Sequence, residues 1–278
     1  MKRKITLLIN KSEIAAGTRG ASLGPEAIMT ASRKKGSDFF GRYPIQYAED
    51  ENHLLDSPVT FHFAKRIKGL ITVYKSVAQK VEEILWNEGF PLILAADHAS
   101  AGGTIAGIKA TYPNKRLGVV WIDAHSDIHT PYTTPSGNMH GMPLATALNE
   151  DNKEVQKNEL DNEVVELWQE LKSIGVKGAK INPEDLVFIG VRDTEMEENA
   201  IITRLNLKNH TVDEIRKQGK EEIMKAALNQ LAACDIIYVS FDVDSMNPQD
   251  TSYGTGTPVD NGILPDEAEY FLVELAKN

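Results

Sequence analysis

Short apolar runs alternate along this chain with longer stretches in which apolar and polar residues recur at helical spacing. The apolar runs are rich in Val, Ile and Leu, which is typical of strands covered on both faces in a parallel sheet. The predicted strands are Ile5–Ile9, Pro91–Ala96, Leu117–Asp123, Asp185–Val191 and Asp235–Asp244. Strands that alternate with helices in this way indicate βαβ units.

Apolar residues recur at three- and four-residue intervals from Ile67 to Leu85 and predict one long amphipathic helix. Further helices are predicted at Gly103–Tyr112, Glu159–Ile174, Glu195–Leu205, Thr211–Ala233 and Asp266–Lys277. Gly17, Gly20 and Gly24 predict a turn ahead of another helix. No low-complexity linker interrupts this pattern, so we expect a single three-layer α/β domain over residues 1–278, with a mostly parallel sheet and helices on both faces.

Composition narrows the range of partners. The chain has 40 acidic and 30 basic residues and a formal net charge of −10, so no general attraction to nucleic acid or to anionic lipid is expected.

No run of about 18 apolar residues predicts a membrane span. Cys234 is the one cysteine and cannot close an internal disulfide, so we expect a reducing, cytoplasmic location.

Three predicted strands end in clusters of acidic and imidazole side chains. The clusters are Leu94–His98, Trp121–Asp127 and Val239–Asp244. Because ligand sites in open α/β sheets form at the carboxyl ends of the strands, we expect the clusters to converge. Their candidate metal ligands are His98, Asp123, His125, Asp127, Asp242 and Asp244.

Four carboxylates brought into one pocket would repel one another unless cations compensate, and two divalent ions would balance them. On extended backbone, Asp123, His125 and Asp127 would point to one side, as would Asp242 and Asp244. A single aspartate at a strand end is more often a helix cap, but capping does not explain the repeated spacing. Oxygen and imidazole ligands favour Mn(II), with Zn, Fe, Co or Ni as alternatives, and indicate metal-assisted hydrolysis.

Five segments in this order resemble the ureohydrolase family, which includes arginase, agmatinase and formiminoglutamase, and the resemblance is closest to arginase. The segments are Gly17–Pro25, Asp97–His98, Asp123–Asp127, Asp242–Asp244 and Thr255–Pro258. The resemblance implies two Mn(II) ions per chain, with His98 and Asp127 on one, His125 and Asp244 on the other, and Asp123 and Asp242 bridging them. Ala95, Ala96 and Asn247 depart from the usual family pattern without removing a ligand.

The stretch Thr134–Pro143 is similar to the arginase form of the substrate loop. The resemblance implies that Ser136 and Asn138 hold an α-carboxylate, whereas a surface turn is the simpler interpretation. His140 is the expected proton relay, and the alternative is a local hydrogen bond at a helix start.

Acidic and polar residues elsewhere complete the expected substrate contacts. Glu195 stands where arginases usually have the aspartate that meets the α-amino group, and it is also placed to cap a helix. His129 replaces a usual asparagine. Glu198 and Thr257 are further candidates for substrate binding.

The resemblance implies hydrolysis of L-arginine to L-ornithine and urea by a metal-bridging hydroxide, with Asp127 stabilising the tetrahedral intermediate. The alternatives are another ureohydrolase, acting on agmatine or on a guanidino or formimino acid, and an inactive relative that retains its metals. Family resemblance also implies a homo-oligomer, a trimer or hexamer. Arginases usually continue into one more strand, whose glutamate meets the guanidinium, so we expect a chain ending at Asn278 to bind manganese but hydrolyse arginine poorly.

Overall fold

The computed structural model describes residues 4–251 and 254–277. Its internal contacts divide the chain into two compact units. Unit 1 contains the residues up to Asn114 together with His129–Lys180, and unit 2 contains Lys115–Ile128 together with the residues from Ile181 onward. None of the described helices is both long and apolar enough to cross a membrane.

Unit 1 contains a three-stranded parallel sheet in the order β2-β1-β3. Its elements are β1 (Lys4–Asn10), α1 (Gly24–Lys34), β2 (Ile45–Tyr47), α2 (Ile67–Trp86), β3 (Gly89–Ala95), α3 (Ser100–Thr111), α4 (Pro143–Leu148) and α5 (Asn162–Ser173). The amphipathic face of α2 is buried, as its spacing predicts. Helix α3 packs so closely against α2 that a Cβ on Gly102 would overlap the side chain of Tyr74.

Unit 1 contains two buried lysines, Lys172 within α5 and Lys180 after it. Lys172 Nζ is 2.6 Å from Asp151 Oδ1, and Lys180 Nζ donates a 2.6 Å hydrogen bond to the Lys172 carbonyl. Burial and the charge of Lys172 lower the pKa of Lys180 to about 8. The side chain of Lys180 therefore costs stability whenever it is protonated.

Unit 2 contains a four-stranded parallel sheet in the order β6-β5-β4-β7. Its elements are β4 (Leu117–Ile122), β5 (Leu186–Ile189), α6 (Met196–Arg204), β6 (Lys208–His210), α7 (Val212–Gln218), α8 (Lys220–Gln230), β7 (Ile236–Phe241) and α9 (Pro265–Lys277). The side chains of β4 and β5 are fully covered, and they form a core with apolar residues of α8 and α9.

All the predicted strands are present with small shifts at their ends, but other expectations were wrong. The predicted helix Thr211–Ala233 is two helices, because Gly219 adopts a φ of 88° between α7 and α8. The strands form two sheets and not the single predicted sheet. An apolar run in the sequence predicts a strand but does not indicate which other strands it pairs with. Asp244 lies past the end of β7, in a single 3-10 turn, and not on extended backbone.

Candidate active site

The carboxyl ends of β4 and β7 bring two of the predicted acidic motifs side by side in unit 2. Ile122 is paired with Phe241 in the parallel register, and Asp242 N donates to the Ile122 carbonyl at 2.9 Å. Asp123 and Asp242 each follow the last residue of their strand. Hydrogen bonding between neighbouring strands therefore fixes where both motifs begin.

A cluster of Asp123, His125 and Asp244 forms the centre of this arrangement. One ligand atom from each residue lies within 4.8 Å of the others. His125 Nδ1 is 3.2 Å from Asp244 Oδ2 and 3.5 Å from Asp123 Oδ1. Both aspartates are buried, at 1% and 5% exposure, whereas His125 is partly exposed. These residues offer two carboxylates and an imidazole to one small volume.

The electrostatics of this cluster favour a bound cation. Burial raises the pKa of Asp244 above its usual range, and the negative charges of Asp242 and Asp123 act in the same direction, while His125 opposes them. Burial alone would lower the pKa of His125, but hydrogen bonds to Asp123 and Asp244 raise it well above its usual value. An imidazolium at His125 would offset only one of the negative charges of Asp123 and Asp244, so the cluster still favours a further cation. Oxygen and imidazole donors of this kind fit a divalent ion such as Mn(II).

Asp123 and Asp242 also make local hydrogen bonds to the backbone. Asp123 Oδ1 accepts from His125 N at 2.9 Å, and Asp242 Oδ1 accepts from Asp244 N at 3.0 Å. The two aspartates therefore do cap the backbone, as the simpler interpretation of their motifs suggested. Each uses one carboxylate oxygen for this hydrogen bond. Thr257 reaches the same cluster, because its hydroxyl donates to Asp244 Oδ2 at 3.1 Å.

Asp127 does not lie on the extended backbone that its spacing predicts. Its φ is 46°, in the left-handed region that few non-glycine residues adopt. Its side chain is buried at 7% exposure. A carboxylate held in this conformation needs support from its surroundings.

Glu198 supplies such support from the first turn of α6. Its Oε1 accepts from Ser126 Oγ at 2.6 Å and from Ile128 N at 3.5 Å, the residues on either side of Asp127. Its Oε2 accepts from Glu195 N at 3.0 Å, completing a capping box in which the Glu195 side chain caps α6 in return. Glu198 is therefore positioned to orient the Asp127 loop.

Arg192 is a site residue to which the sequence analysis gives no role. It follows β5, and its guanidinium donates to five backbone carbonyls, those of Gly190, Asp244, Ser245, Val259 and Asp260, at 2.7–3.1 Å. This contact fixes the backbone that carries Asp244 and the segment that carries Thr257. The sequence signal that could have identified Arg192 is an arginine close behind a buried strand, in a segment that also carries acidic residues.

In unit 1, the residues after β3 anchor a loop that also contacts the substrate loop. The buried Asp97 accepts hydrogen bonds from Ala15 N at 3.0 Å and Ala99 N at 3.1 Å, and burial raises its pKa to about 7. His98 is the next residue and is half-buried. Ala15 in turn accepts from His140 N at 3.3 Å. A short backbone path therefore links the first predicted metal motif to the predicted proton relay.

The predicted substrate loop is held in a defined conformation. Ser136 Oγ accepts from Asn138 N at 3.1 Å, so Ser136 is exposed yet fixed relative to Asn138. Gly137 has a φ of 75°, and any Cβ there would overlap the His62 carbonyl. His129 is buried, with Nδ1 3.1 Å from Thr133 Oγ1. The loop is thus built on contacts that a simple solvated turn does not require.

The sequence profile described as "Arginase family" matches residues 7–278. The chain belongs to the arginase family. Arginase from Bacillus subtilis (strain 168) is 32% identical over 263 residues, which cover 95% of this chain and 82% of that protein. The predicted family resemblance is confirmed.

Solved structures of arginase share the fold of this arginase-family chain. The crystal structure of Bacillus subtilis arginase aligns with a TM-score of 0.78 and 31% identity, covering 99% of this chain and 86% of that one. Entamoeba histolytica arginase, solved in complex with L-ornithine, aligns with a TM-score of 0.83 and 25% identity, covering 100% and 88%. These matches confirm the predicted fold class, an α/β domain with parallel strands and helices on both sides.

Proposed function

We propose that this chain hydrolyses L-arginine to L-ornithine and urea at a centre of two Mn(II) ions. The observation that carries the proposal is the cluster of Asp123, His125 and Asp244 at the ends of adjacent strands, in which both aspartates are buried. Membership of the arginase family supports it, as do the relatives named arginase. The chain would therefore be a metal-dependent hydrolase that acts on guanidino compounds.

Six residues would hold the ions. They are His98, Asp123, His125, Asp127, Asp242 and Asp244. The assignment of His98 rests on its motif, and that of Asp127 on its motif and on the support that Ser126 and Ile128 receive from Glu198. Bound ions would supply Lewis acidity, which lowers the pKa of water so that hydroxide is available near neutral pH to attack the guanidinium carbon.

The chain's own side chains would orient the substrate and move the proton. Ser136 and Asn138 would donate to the α-carboxylate, and Glu195 would accept from the α-ammonium. Asp127 would accept N–H···O hydrogen bonds from the substrate guanidinium while the guanidinium carbon becomes tetrahedral. His140 would deliver a proton to the departing ornithine amine.

Three further residues would contribute less directly. His129 would border the carboxylate site through its position before the substrate loop. Thr257 would add a hydroxyl beside Asp244. Glu198 would orient the loop that carries Asp127 and would not contact the substrate. Both of its carboxylate oxygens accept hydrogen bonds from the chain itself.

Metal analysis combined with a substrate panel tests the function. The manganese-loaded protein should hold two ions per chain and release urea from L-arginine in preference to agmatine, which lacks the carboxylate. L-Ornithine binding by calorimetry gives a second readout that does not depend on turnover. A protein with no bound metal, or one that binds no ornithine and releases no urea, would contradict the proposal.

Agmatine as the preferred substrate would instead identify the chain as a different ureohydrolase. We also propose a cytoplasmic location and a homo-oligomer, either a trimer or a hexamer, on the basis of the family resemblance. Light scattering of the manganese-loaded protein measures the assembly directly, and a monomer at micromolar concentration would contradict it.

A further inference from the structure

Lys65 makes two contacts with the predicted substrate loop. Its ammonium Nζ donates to Asn138 Oδ1 at 3.2 Å, and its backbone N donates to the Gly137 carbonyl at 3.0 Å. Both contacts lie within unit 1, where Lys65 is placed two residues before the start of α2. The side chain therefore reaches one of the two residues proposed to bind the substrate carboxylate.

None of the described residues neutralises the charge of Lys65. Among the residues that the structure describes, no carboxylate lies within 4.0 Å of its ammonium, although the side chain is half-buried. Nearby lysines differ in this respect, because Lys68 pairs with Glu163 at 2.6 Å and Lys75 pairs with Glu170 at 2.7 Å. A partly desolvated ammonium without a counter-ion is costly, and a bound anion would offset that cost.

The hydrogen bond from Lys65 also determines what Asn138 can offer a ligand. With Oδ1 accepting from Lys65, the Nδ2 hydrogens remain the donors of that amide. The Ser136 oxygen accepts from Asn138 N, which leaves its hydroxyl hydrogen to donate. The Lys65 ammonium therefore lies beside a loop that carries two donor groups, a combination suited to recognition of a carboxylate.

Gly17 leaves space beside the Asn138 amide, and a second cationic side chain, that of Arg66, lies close to the same position. A Cβ on Gly17 would lie 3.2 Å from Asn138 Oδ1 and 3.6 Å from Arg66 Nη1, and its φ of 78° also favours glycine. The Arg66 Nε donates to the Leu54 carbonyl, which fixes the guanidinium in this area. The surroundings of Asn138 are positive even though the whole chain has a net charge of −10.

We infer that Lys65 is a specificity-determining residue, which orients Asn138 and supplies positive charge for the substrate's carboxylate. This inference rests on the proposed function and deepens it, because it adds a residue from outside the substrate loop to the proposed carboxylate site. The Lys65 ammonium makes no contact with the reacting guanidinium in this assignment. Removing it should therefore raise KM for L-arginine with little change in kcat, the pattern expected when a binding interaction is lost.

Binding of two ligands that differ only in the carboxylate tests the inference. L-Ornithine and 1,4-diaminobutane are titrated calorimetrically into the manganese-loaded wild type and into Lys65→Met, Lys65→Arg and Lys68→Met. Lys68→Met is the matched control, since it removes one positive charge from the exposed face of α2. Circular dichroism and manganese content establish that each variant is folded and loaded.

We expect Lys65→Met to weaken ornithine binding by about 10-fold or more, as for loss of a hydrogen bond involving a charged group, and to leave diaminobutane binding unchanged. Lys65→Arg should retain most of the ornithine affinity, and Lys68→Met should match the wild type. Unchanged ornithine affinity in Lys65→Met, or an equal loss for both ligands, would overturn the inference while the proposed function stands. A wild type that binds neither ligand and releases no urea would overturn both.

Discussion

Glu198 Oε1 accepts a hydrogen bond from Ser126 Oγ at 2.6 Å, one residue before Asp127, whose φ of 46° requires support. The contact joins the first turn of α6 to the loop after β4. A residue that holds a metal ligand in place contributes to metal affinity without touching the ion.

Glu198→Gln should therefore weaken manganese binding, because one of the accepting oxygens is lost and Asp127 is held less firmly. Loss of a group that orients a metal ligand typically costs about 10- to 100-fold in affinity. Manganese titration followed by calorimetry measures the change. Ser126→Ala should give a smaller loss, and the double variant should be no weaker than Glu198→Gln. Wild-type affinity in Glu198→Gln would refute the orienting role.

Asp123→Asn and Asp242→Asn distinguish capping from metal binding. Asparagine retains an oxygen that can accept from His125 N or Asp244 N, so the local hydrogen bonds survive while the negative charge is lost. We expect each variant to stay folded and to lose both ions, since both residues are proposed as bridges. Plasma emission analysis gives the ion count. Two ions per chain in both variants would leave capping as their role.

His140→Asn should lower turnover while leaving the manganese content unchanged. The proposed role is proton delivery, and general acid groups of this kind contribute about 10²- to 10⁴-fold. His140 is fixed through its backbone N, which donates to the Ala15 carbonyl, so the substitution keeps the loop contact. Urea release and metal content are measured on the same sample. Full activity, or loss of the ions, would disprove the relay.

The lowered pKa of Lys180 should make the free energy of unfolding depend on pH in the alkaline range. Its pKa is lowered from 10.5 to about 8, so between these values the unfolded chain binds more protons than the folded chain. The free energy of unfolding should therefore rise with pH across this range. The cost of burying the protonated lysine is on the order of 3 kcal/mol, and it is fully present below the folded pKa.

Urea denaturation of the wild type and of Lys180→Met at a series of pH values measures this effect. The stability of the wild type relative to Lys180→Met should increase between pH 8 and pH 10.5. Exposed Lys177 offers the matched control, and Lys177→Met should show no such difference. Parallel stability curves for wild type and Lys180→Met would show that Lys180 has an ordinary pKa in the folded protein.

The sequence was most informative where one local pattern determines one element. The apolar runs before Asp123 and Asp242 predicted β4 and β7, and the stripe from Ile67 predicted α2. The break at Gly219 was missed because amphipathic spacing continues on both sides of it. Strand β6 (Lys208–His210) was missed because it is short and polar, and pairing with β5 makes it a strand.

The candidate site divides in the same way. The motifs predicted that Asp123, His125 and Asp244 lie together, because their spacing places all three at strand ends. The roles of Glu198 and Arg192 depend on segments that are distant in sequence, so no local spacing could reveal them. Lys65 is similar, since 73 positions separate it from Asn138.

The carbonyl contacts of Arg192 have a consequence for how this region can evolve. Every amino acid supplies a backbone carbonyl, so the anchor restricts the identity of Arg192 but leaves the side chains at Val259 and Asp260 open. Substitutions in that segment can accumulate while Asp244 keeps its place. Saturation mutagenesis should find these two positions permissive and position 192 intolerant even of lysine, whose single ammonium cannot reach all the acceptors. Descendants of this chain could thereby acquire new ligands through the segment without first losing the candidate metal centre.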